Sequence, residues 1–172
     1  MANQMREIRL DKVVLNIGIG NNDQKIDNAR ALLNKLTGRQ AAHTVAKKRF
    51  PEFGIRKGQV IGAVVTLRGR QASEFLKSAL DAANNTVQPG ALANNSINFG
   101  IKEYIEFSGV KYDPKIGMLG LNINASFARR GVRVATRKRR NSSVDEKHRR
   151  IPGDELRAYL EKNFGAKVAE RE

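Results

Sequence analysis

The segment Val13–Asp23, VVLNIGIGNND, sets Gly18-x-Gly20 between an apolar, strand-like run and residues that can begin a helix. A strand, a glycine turn and a helix in that order can seat a pyrophosphate on backbone amides at the helix N-terminus. The rest of such a site is missing. Asp23 stands where a third glycine is needed, and an acid there repels the phosphate that the helix dipole attracts. No Asp or Glu occurs from Asn28 to Pro51 to hold a ribose, and no GxxxxGK[ST] loop is present. The simpler reading is a tight strand-to-helix turn that needs glycine. Other chemistry has less support. The two histidines, His43 and His148, have no cysteine and no close set of carboxylates at ligand spacing, so no metal is expected. His43 reads as a half-buried polar residue or an RNA contact. No GxSxG elbow points to a nucleophile. No catalytic residue, cofactor or enzymatic activity is expected, and a phosphate-ligand enzyme built on the Gly18-x-Gly20 turn is the rival reading.

Cations are the stronger chemical signal. The 172-residue chain carries 32 Lys and Arg against 17 Asp and Glu, a net charge of +15. Such an excess suits a polyanion. Arg129–Arg150, RRGVRVATRKRRNSSVDEKHRR, holds ten cations and two acids, so +8 of the +15 lies there. Its Val and Ala residues make no long amphipathic stripe, which favours nucleic acid over a membrane surface. A solvated charged segment is the alternative. Its composition suggests that it orders on binding. A second knot, Lys47–Gly58, has Lys47, Lys48, Arg49, Arg56 and Lys57 against Glu52. Phe50 and Phe53 lie within it, as rings to stack on bases or to pack beneath a bent loop.

These groups need a frame. Arg9–Ile17 reads as a strand with Val13, Leu15 and Ile17 on one face and Val14 and Asn16 on the other. Asn22–Leu36 reads as a helix with Ile26, Ala29, Leu33 and Leu36 as its stripe, capped by Asn21, Asn22 or Asp23 and closed by Gly38. Ala41–Ala46 suggests a short strand, and Gln59–Arg68 a longer one with Thr66 and Arg68 turned away from Ile61, Ala63, Val65 and Leu67. Gln71–Ala83 predicts a second helix. Asn84–Asn95, with its Asn94-Asn95 pair, reads as loop. Short strands are expected at Ser96–Ile101 and Ile105–Phe107. Leu119–Phe127 alternates cleanly, with Asn122, Asn124 and Ser126 facing outward. A last helix is expected near Asp154–Asn163. Strands and helices do not alternate strictly, which points to an α+β fold: a largely antiparallel sheet, helices packed on one face, and the other face and the loops free for RNA. The length suits a single domain over 1–172, with the basic segment at 129–150. The absence of cysteine fits a reducing, cytoplasmic setting. No apolar stretch follows Met1-Ala2-Asn3 to suggest a signal peptide, and no apolar run reaches the ~18 residues of a membrane span.

Six ordered blocks add an identification. LNIGIG (Leu15–Gly20), AKK (Ala46–Lys48), FGIRKG (Phe53–Gly58), IGAVVTLRG (Ile61–Gly69), NFGIKEYIEF (Asn98–Phe107) and KYDPKIGMLGLNI (Lys111–Ile123) resemble the ribosomal protein L-five family of the large subunit, called L-eleven in eukaryotes. The first strand without a helical extension before it, and the RRGVRVATRKRR segment, resemble the archaeal or eukaryotic form. The tail KHRRIPGDELRAYLEKNFGAKV is similar to archaeal ones. The resemblance implies the family's α+β domain and a structural place in the central protuberance, bound to 5S rRNA. It implies 5S contacts at Asn16, Phe53, Thr66 and Arg68. Where the family has Gly-Gln after its first helix, this chain has Gly38-Arg39-Gln40, so either Arg39 or Gln40 takes that role. The resemblance also implies that the loop of Lys47, Lys48, Arg49, Phe50, Arg56 and Lys57 touches peptidyl-site tRNA. Further implied partners are domain-five rRNA of the large subunit and a small-subunit head protein. Arg129, Arg130, Arg133, Arg137, Lys138, Arg139 and Arg140 are the expected grip on large-subunit rRNA. A sequence-tolerant RNA or DNA binder outside the ribosome is the third reading.

Overall fold

The computed structural model describes residues 4–93 and 95–168, so Asn94 of the expected loop pair lies outside the described residues. Six strands form one sheet: β1 (Ile8–Gly18), β2 (Ala42–Val45), β3 (Val60–Leu67), β5 (Leu92–Ala93), β6 (Ser96–Ile101) and β7 (Leu121–Arg129). Their order is β2-β3-β1-β7-β6-β5, and the pairs β2–β3 and β5–β6 are antiparallel. Two-residue strands β4 (Thr86–Val87) and β8 (Lys167–Val168) form a separate parallel ladder. The helices are α1 (Asp23–Thr37), α2 (Arg70–Ala82), the four-residue α3 (Arg133–Thr136) and α4 (Glu146–Arg149), and α5 (Gly153–Phe164). This is the expected α+β fold. The chain forms two compact units. One takes the chain up to Val13, Arg68–Phe99 and the chain from Asn124 onward. The other takes Val14–Leu67 and Gly100–Ile123.

In the second unit, Leu15 and Ile17 of β1 and Ala63 and Val65 of β3 are buried with Ile26, Ala29, Leu32 and Leu33 of α1. Leu36, expected on the stripe of α1, is only partly buried, and Leu32 is in the core instead. Asn22 is the residue that caps α1, its side chain accepting from the Lys25 amide at 3.2 Å. Gly38, at φ 65°, ends the helix in the left-handed region that glycine enters freely. β3 bulges where Thr44 faces Gly62 and Val45 faces Val60, leaving Ile61 unopposed. Gly62 meets the backbone carbonyl of Ile17 so closely that a Cβ has no room. Ile105–Phe107, expected as a strand, is instead part of a 3-10 turn over Tyr104–Glu106. Tyr104 and Phe107 are buried there while Ile105 is 37% exposed. Core contact at a spacing of three selects a turn over a pleat. The Tyr104 hydroxyl accepts from the Asp113 amide at 2.9 Å.

In the first unit, Ala72, Leu76, Ala79 and Leu80 of α2 and Leu156 and Leu160 of α5 are buried together with Ile97, Phe127 and Ile151. Tyr159 meets Phe127 edge to face, with ring centroids 5.8 Å apart. Burial raises the Tyr159 phenol above its usual 10.0, an interaction with the Leu10 backbone opposes this, and the nearby Glu7 charge adds to the rise. Asn95 has φ 63° and organises its surroundings. Its carbonyl accepts from the Phe127 amide, and its side chain accepts from the Ile151 amide and donates to the Arg149 carbonyl, each at 2.7 Å.

Candidate nucleic-acid interface

The turn that resembles a cofactor site has its own Ile19 and Gly20 amides committed within the fold. The Ile19 and Gly20 N–H groups both donate to the Ile61 carbonyl, at 2.9 and 3.0 Å. The bulge in β3 presents that carbonyl, so the glycines serve the join between β1 and β3. Among the described residues no group of three or more His, Cys, Asp or Glu could hold a metal. No described helix is long and apolar enough to cross a membrane.

Alternation along β1, β3 and β7 leaves a polar face opposite the core. In the second unit that face carries half-buried Asn16 and exposed Thr66 and Asn122, with Val14 and Val64 between them. The face is tightly built. A Cβ at Gly100 would stand 3.1 Å from Asn122 Oδ1, so glycine leaves that amide its space. Asn124 and Ser126, further along β7 in the first unit, are half-buried. Amides and hydroxyls on a pleated surface can hydrogen-bond to bases and 2′-hydroxyls, which is how RNA is read.

The basic knot is a built loop. Ala46 N–H donates to the Gln59 carbonyl and Gly58 N–H to the Ala46 carbonyl, each at 2.8 Å. Phe50 and Ile55 exchange two backbone hydrogen bonds, at 3.0 and 3.1 Å, around a 3-10 turn over Pro51–Phe53. The Gln59 side chain ties the end of the loop to the turn before α1, donating to Asn21 Oδ1, and accepts from the Arg56 amide at 2.9 Å. Lys47, Lys48, Arg49, Arg56 and Lys57 are all exposed. Phe50 and Phe53 are 49% and 69% exposed. Neither ring packs beneath the loop as a core residue would. Exposed rings among cations offer stacking surfaces beside phosphate contacts.

Arg39 and Gln40 follow the left-handed Gly38 and are exposed. The Arg39 amide donates to Thr37 Oγ1 at 3.2 Å, and Ala41 N–H is held by Asn34 Oδ1 at 2.7 Å, which fixes the bend on both sides.

The Arg129–Arg150 segment is not uniform. Arg129 ends β7 with 7% exposure, and its Nη2 donates to Glu155 Oε2 of α5 at 2.7 Å. Arg130 is exposed and pairs with Glu7 at 2.8 Å. Arg137 Nε donates to the Arg140 carbonyl at 2.8 Å, folding the chain so that Arg140 takes φ 51°. Lys138 and Arg139 are exposed. Arg133 is exposed on α3 and lines a cleft of about 400 Å³ with Arg9, Asp11, Lys12, Arg68 and Arg129. Arg68 Nη1 lies 3.5 Å from Asp11 Oδ1.

The structure thus brings Asn16 and Thr66 onto one polar face, and Phe50 and Phe53 into one cationic loop. It sets Arg68 beside Arg129 and Arg133. Arg9 and Lys12 are additional cations at that cleft. Their signal in the sequence is slight, two cations around Asp11 in a strand whose apolar alternation draws the eye. The bracing of the loop by Asn21 and Gln59 left no local pattern at all, because the two lie 38 residues apart.

Residues 3–56 match the family model of ribosomal protein L5, and residues 60–155 match the model of the same ribosomal family's C-terminus. Among curated relatives, the large ribosomal subunit protein uL5 of Sulfurisphaera tokodaii is 38% identical over 170 residues, 98% of this chain and 96% of the relative. The uL5 protein of Archaeoglobus fulgidus is 43% identical over 155 residues, 90% of this chain and 87% of its own length. That of Nitrosopumilus maritimus is 41% identical over 166 residues, 96% and 95% of the two chains.

Proposed function

The chain belongs to the ribosomal protein L5 family of the large ribosomal subunit, a family of structural rather than enzymatic proteins, and we propose that within the subunit it holds 5S rRNA in the central protuberance. The observation that carries this reading is the polar face of the second unit, where Asn16, Thr66 and Asn122 stand opposite a fully buried set of β1 and β3 residues. On a sheet face that is not the core, amides and hydroxyls set beside Val14 and Val64 leave hydrogen-bonding groups available to a partner. Phe53, Arg68 and either Arg39 or Gln40 extend the proposed 5S contacts.

The loop of Lys47–Lys57 touches peptidyl-site tRNA in this reading, with its five cations along the phosphate backbone and Phe50 against a base or ribose. Arg130, Arg133, Arg137, Lys138, Arg139 and Arg140 grip large-subunit rRNA, including domain five. Arg129 shapes that grip from within, since its guanidinium is committed to Glu155. A small-subunit head protein is the remaining proposed neighbour.

The test is binding of the full chain to 5S rRNA and to a scrambled RNA of equal length across a salt series. A preference for 5S that persists at about 200 mM salt is expected, because phosphate contacts carry no sequence information and weaken first. Equal affinity for both RNAs at that salt overturns the 5S reading and leaves a sequence-tolerant binder.

A further inference from the structure

We infer that the cleft of Arg9, Lys12, Arg68 and Arg133 is a phosphate site that seats one stretch of RNA backbone, with Asp11 as the resident counter-ion that the phosphate displaces from Arg68. The inference rests on the RNA-binding reading above and lies wholly within the first unit. It joins Arg68 and Arg133, which the resemblance and the charge pattern assign to different RNAs, and it adds two residues that neither assigns.

Charge is the first argument. The cleft is lined by five cations, Arg9, Lys12, Arg68, Arg129 and Arg133, against one acid, Asp11. Glu155 neutralises Arg129 through a 2.7 Å contact, and Asp11 faces Arg68 at 3.5 Å. Among the described residues, the side chains of Arg9, Lys12 and Arg133 have no ion pair. Like charges gathered this way repel each other until an anion arrives.

The floor of the cleft is the second argument. Arg129 is 7% exposed, and its Nε is buried with no hydrogen-bond partner. A buried donor without a partner is costly, and it marks a place where the structure is incomplete by itself. The Glu155 contact fixes the guanidinium, so the floor is rigid while the rim is open to solvent: Arg68 and Asp11 side chains are 59% and 43% exposed. An ion pair so exposed is held weakly, and a backbone phosphate, whose single charge is shared by two oxygens, competes with it through charge-assisted hydrogen bonds.

The occupant follows from shape and surroundings. The cleft of about 400 Å³ has five cations among its nine lining residues, with Ala128, Val132 and Thr136 beside them, so its charge favours an anion. Four rim cations, drawn from β1, the residue after β3 and α3, outnumber the single charge of one backbone phosphate, which suits successive phosphates of one strand. The exposed Lys138 and Arg139 follow closely in the chain, which suits a backbone that continues past the cleft.

The experiment compares the full-length chain with Arg9→Ala/Lys12→Ala, Arg133→Ala and Asp11→Asn variants, with folding checked by circular dichroism. Affinity is measured across a salt series for 5S rRNA in one arm and a domain-five fragment of large-subunit rRNA in the other. The Arg9→Ala/Lys12→Ala variant should bind at least one RNA about tenfold more weakly. For that RNA, the slope of log affinity against log salt should become shallower by roughly 0.7–0.9 for each phosphate that no longer meets a cation. Arg133→Ala should weaken the same RNA, and Asp11→Asn should bind it several-fold more tightly. The arm that responds identifies the RNA. Folded variants with unchanged affinity and slope in both arms overturn the cleft while leaving the 5S reading intact. A wild-type chain that binds neither RNA overturns both.

Discussion

Asn16 stands just before the glycines that first suggest a cofactor, and its neighbours decide its role. Leu15 and Ile17 on either side are buried, so the pleat turns the Asn16 amide to the opposite face. Replacing Asn16 or Thr66 by Ala removes hydrogen-bonding groups and no core volume. We expect each substitution to weaken 5S rRNA binding by about 0.5–1.5 kcal/mol, up to roughly tenfold, with an unchanged melting temperature. Full affinity in both variants, measured by filter binding, would remove the sheet face from the interface. Gly62→Ala belongs to the opposite class. Its new methyl group collides with the Ile17 carbonyl beneath the bulge, so strand β3 must shift. A loss of about 1–3 kcal/mol in chemical denaturation is expected. Glu155→Gln removes the anionic partner of buried Arg129 and should cost about 1.5–3 kcal/mol by the same measurement. A neutral Glu155→Gln would mean that Arg129 finds another partner.

At the scale of elements, apolar alternation made β1, β3 and β7 legible in the sequence, because each buries one face only. Helices α1, α2 and α5 were legible from stripes and from the glycines that end α1 and α5. Tyr104–Glu106 was not, since Ile105 and Phe107 imitate a pleat while Tyr104 supplies the buried surface. The cationic loop was visible as composition, but its closure by Phe50, Ile55 and Gln59 depends on pairing that no local pattern records. That closure predicts that the loop behaves as a separable unit. Lys47→Glu, Lys48→Glu and Arg49→Glu together should spare 5S affinity and lower tRNA occupancy in reconstituted ribosomes. Collapse of 5S affinity instead would assign the loop to the wrong RNA. Helix α5 carries a pH dependence of its own. The Tyr159 phenol titrates higher in the folded state than in the unfolded chain, so the folded state holds that proton more tightly. The associated stability is complete below pH about 10 and fades as pH rises through the elevated folded value. Tyr159→Phe should therefore flatten the alkaline limb of stability against pH, and an equally steep limb in the variant would place its origin in other groups.

For the whole molecule, the net charge of +15 governs how binding to a polyanion responds to salt, while in the proposed reading the polar face selects the RNA. The two can be separated because counterion release depends on the number of phosphates neutralised, whatever their sequence. Outside the Lys47–Lys57 loop, exposed cations include Arg130, Arg133, Arg137, Lys138, Arg139, Arg140 and Lys147. If about 6–10 of them meet phosphates, affinity for any long RNA should fall on the order of 10³–10⁵ between 50 and 200 mM salt. The slopes for 5S rRNA and for a scrambled RNA of equal length should then be similar, with the 5S line displaced toward higher affinity at every salt. The hydrogen bonds proposed for Asn16 and Thr66 would release few counterions, so they would displace the line without tilting it. Isothermal titration or fluorescence anisotropy over the salt series measures both quantities at once. Lines that differ in slope and converge at high salt would mean that the preference for 5S comes from extra phosphate contacts, and that the polar face contributes no selection.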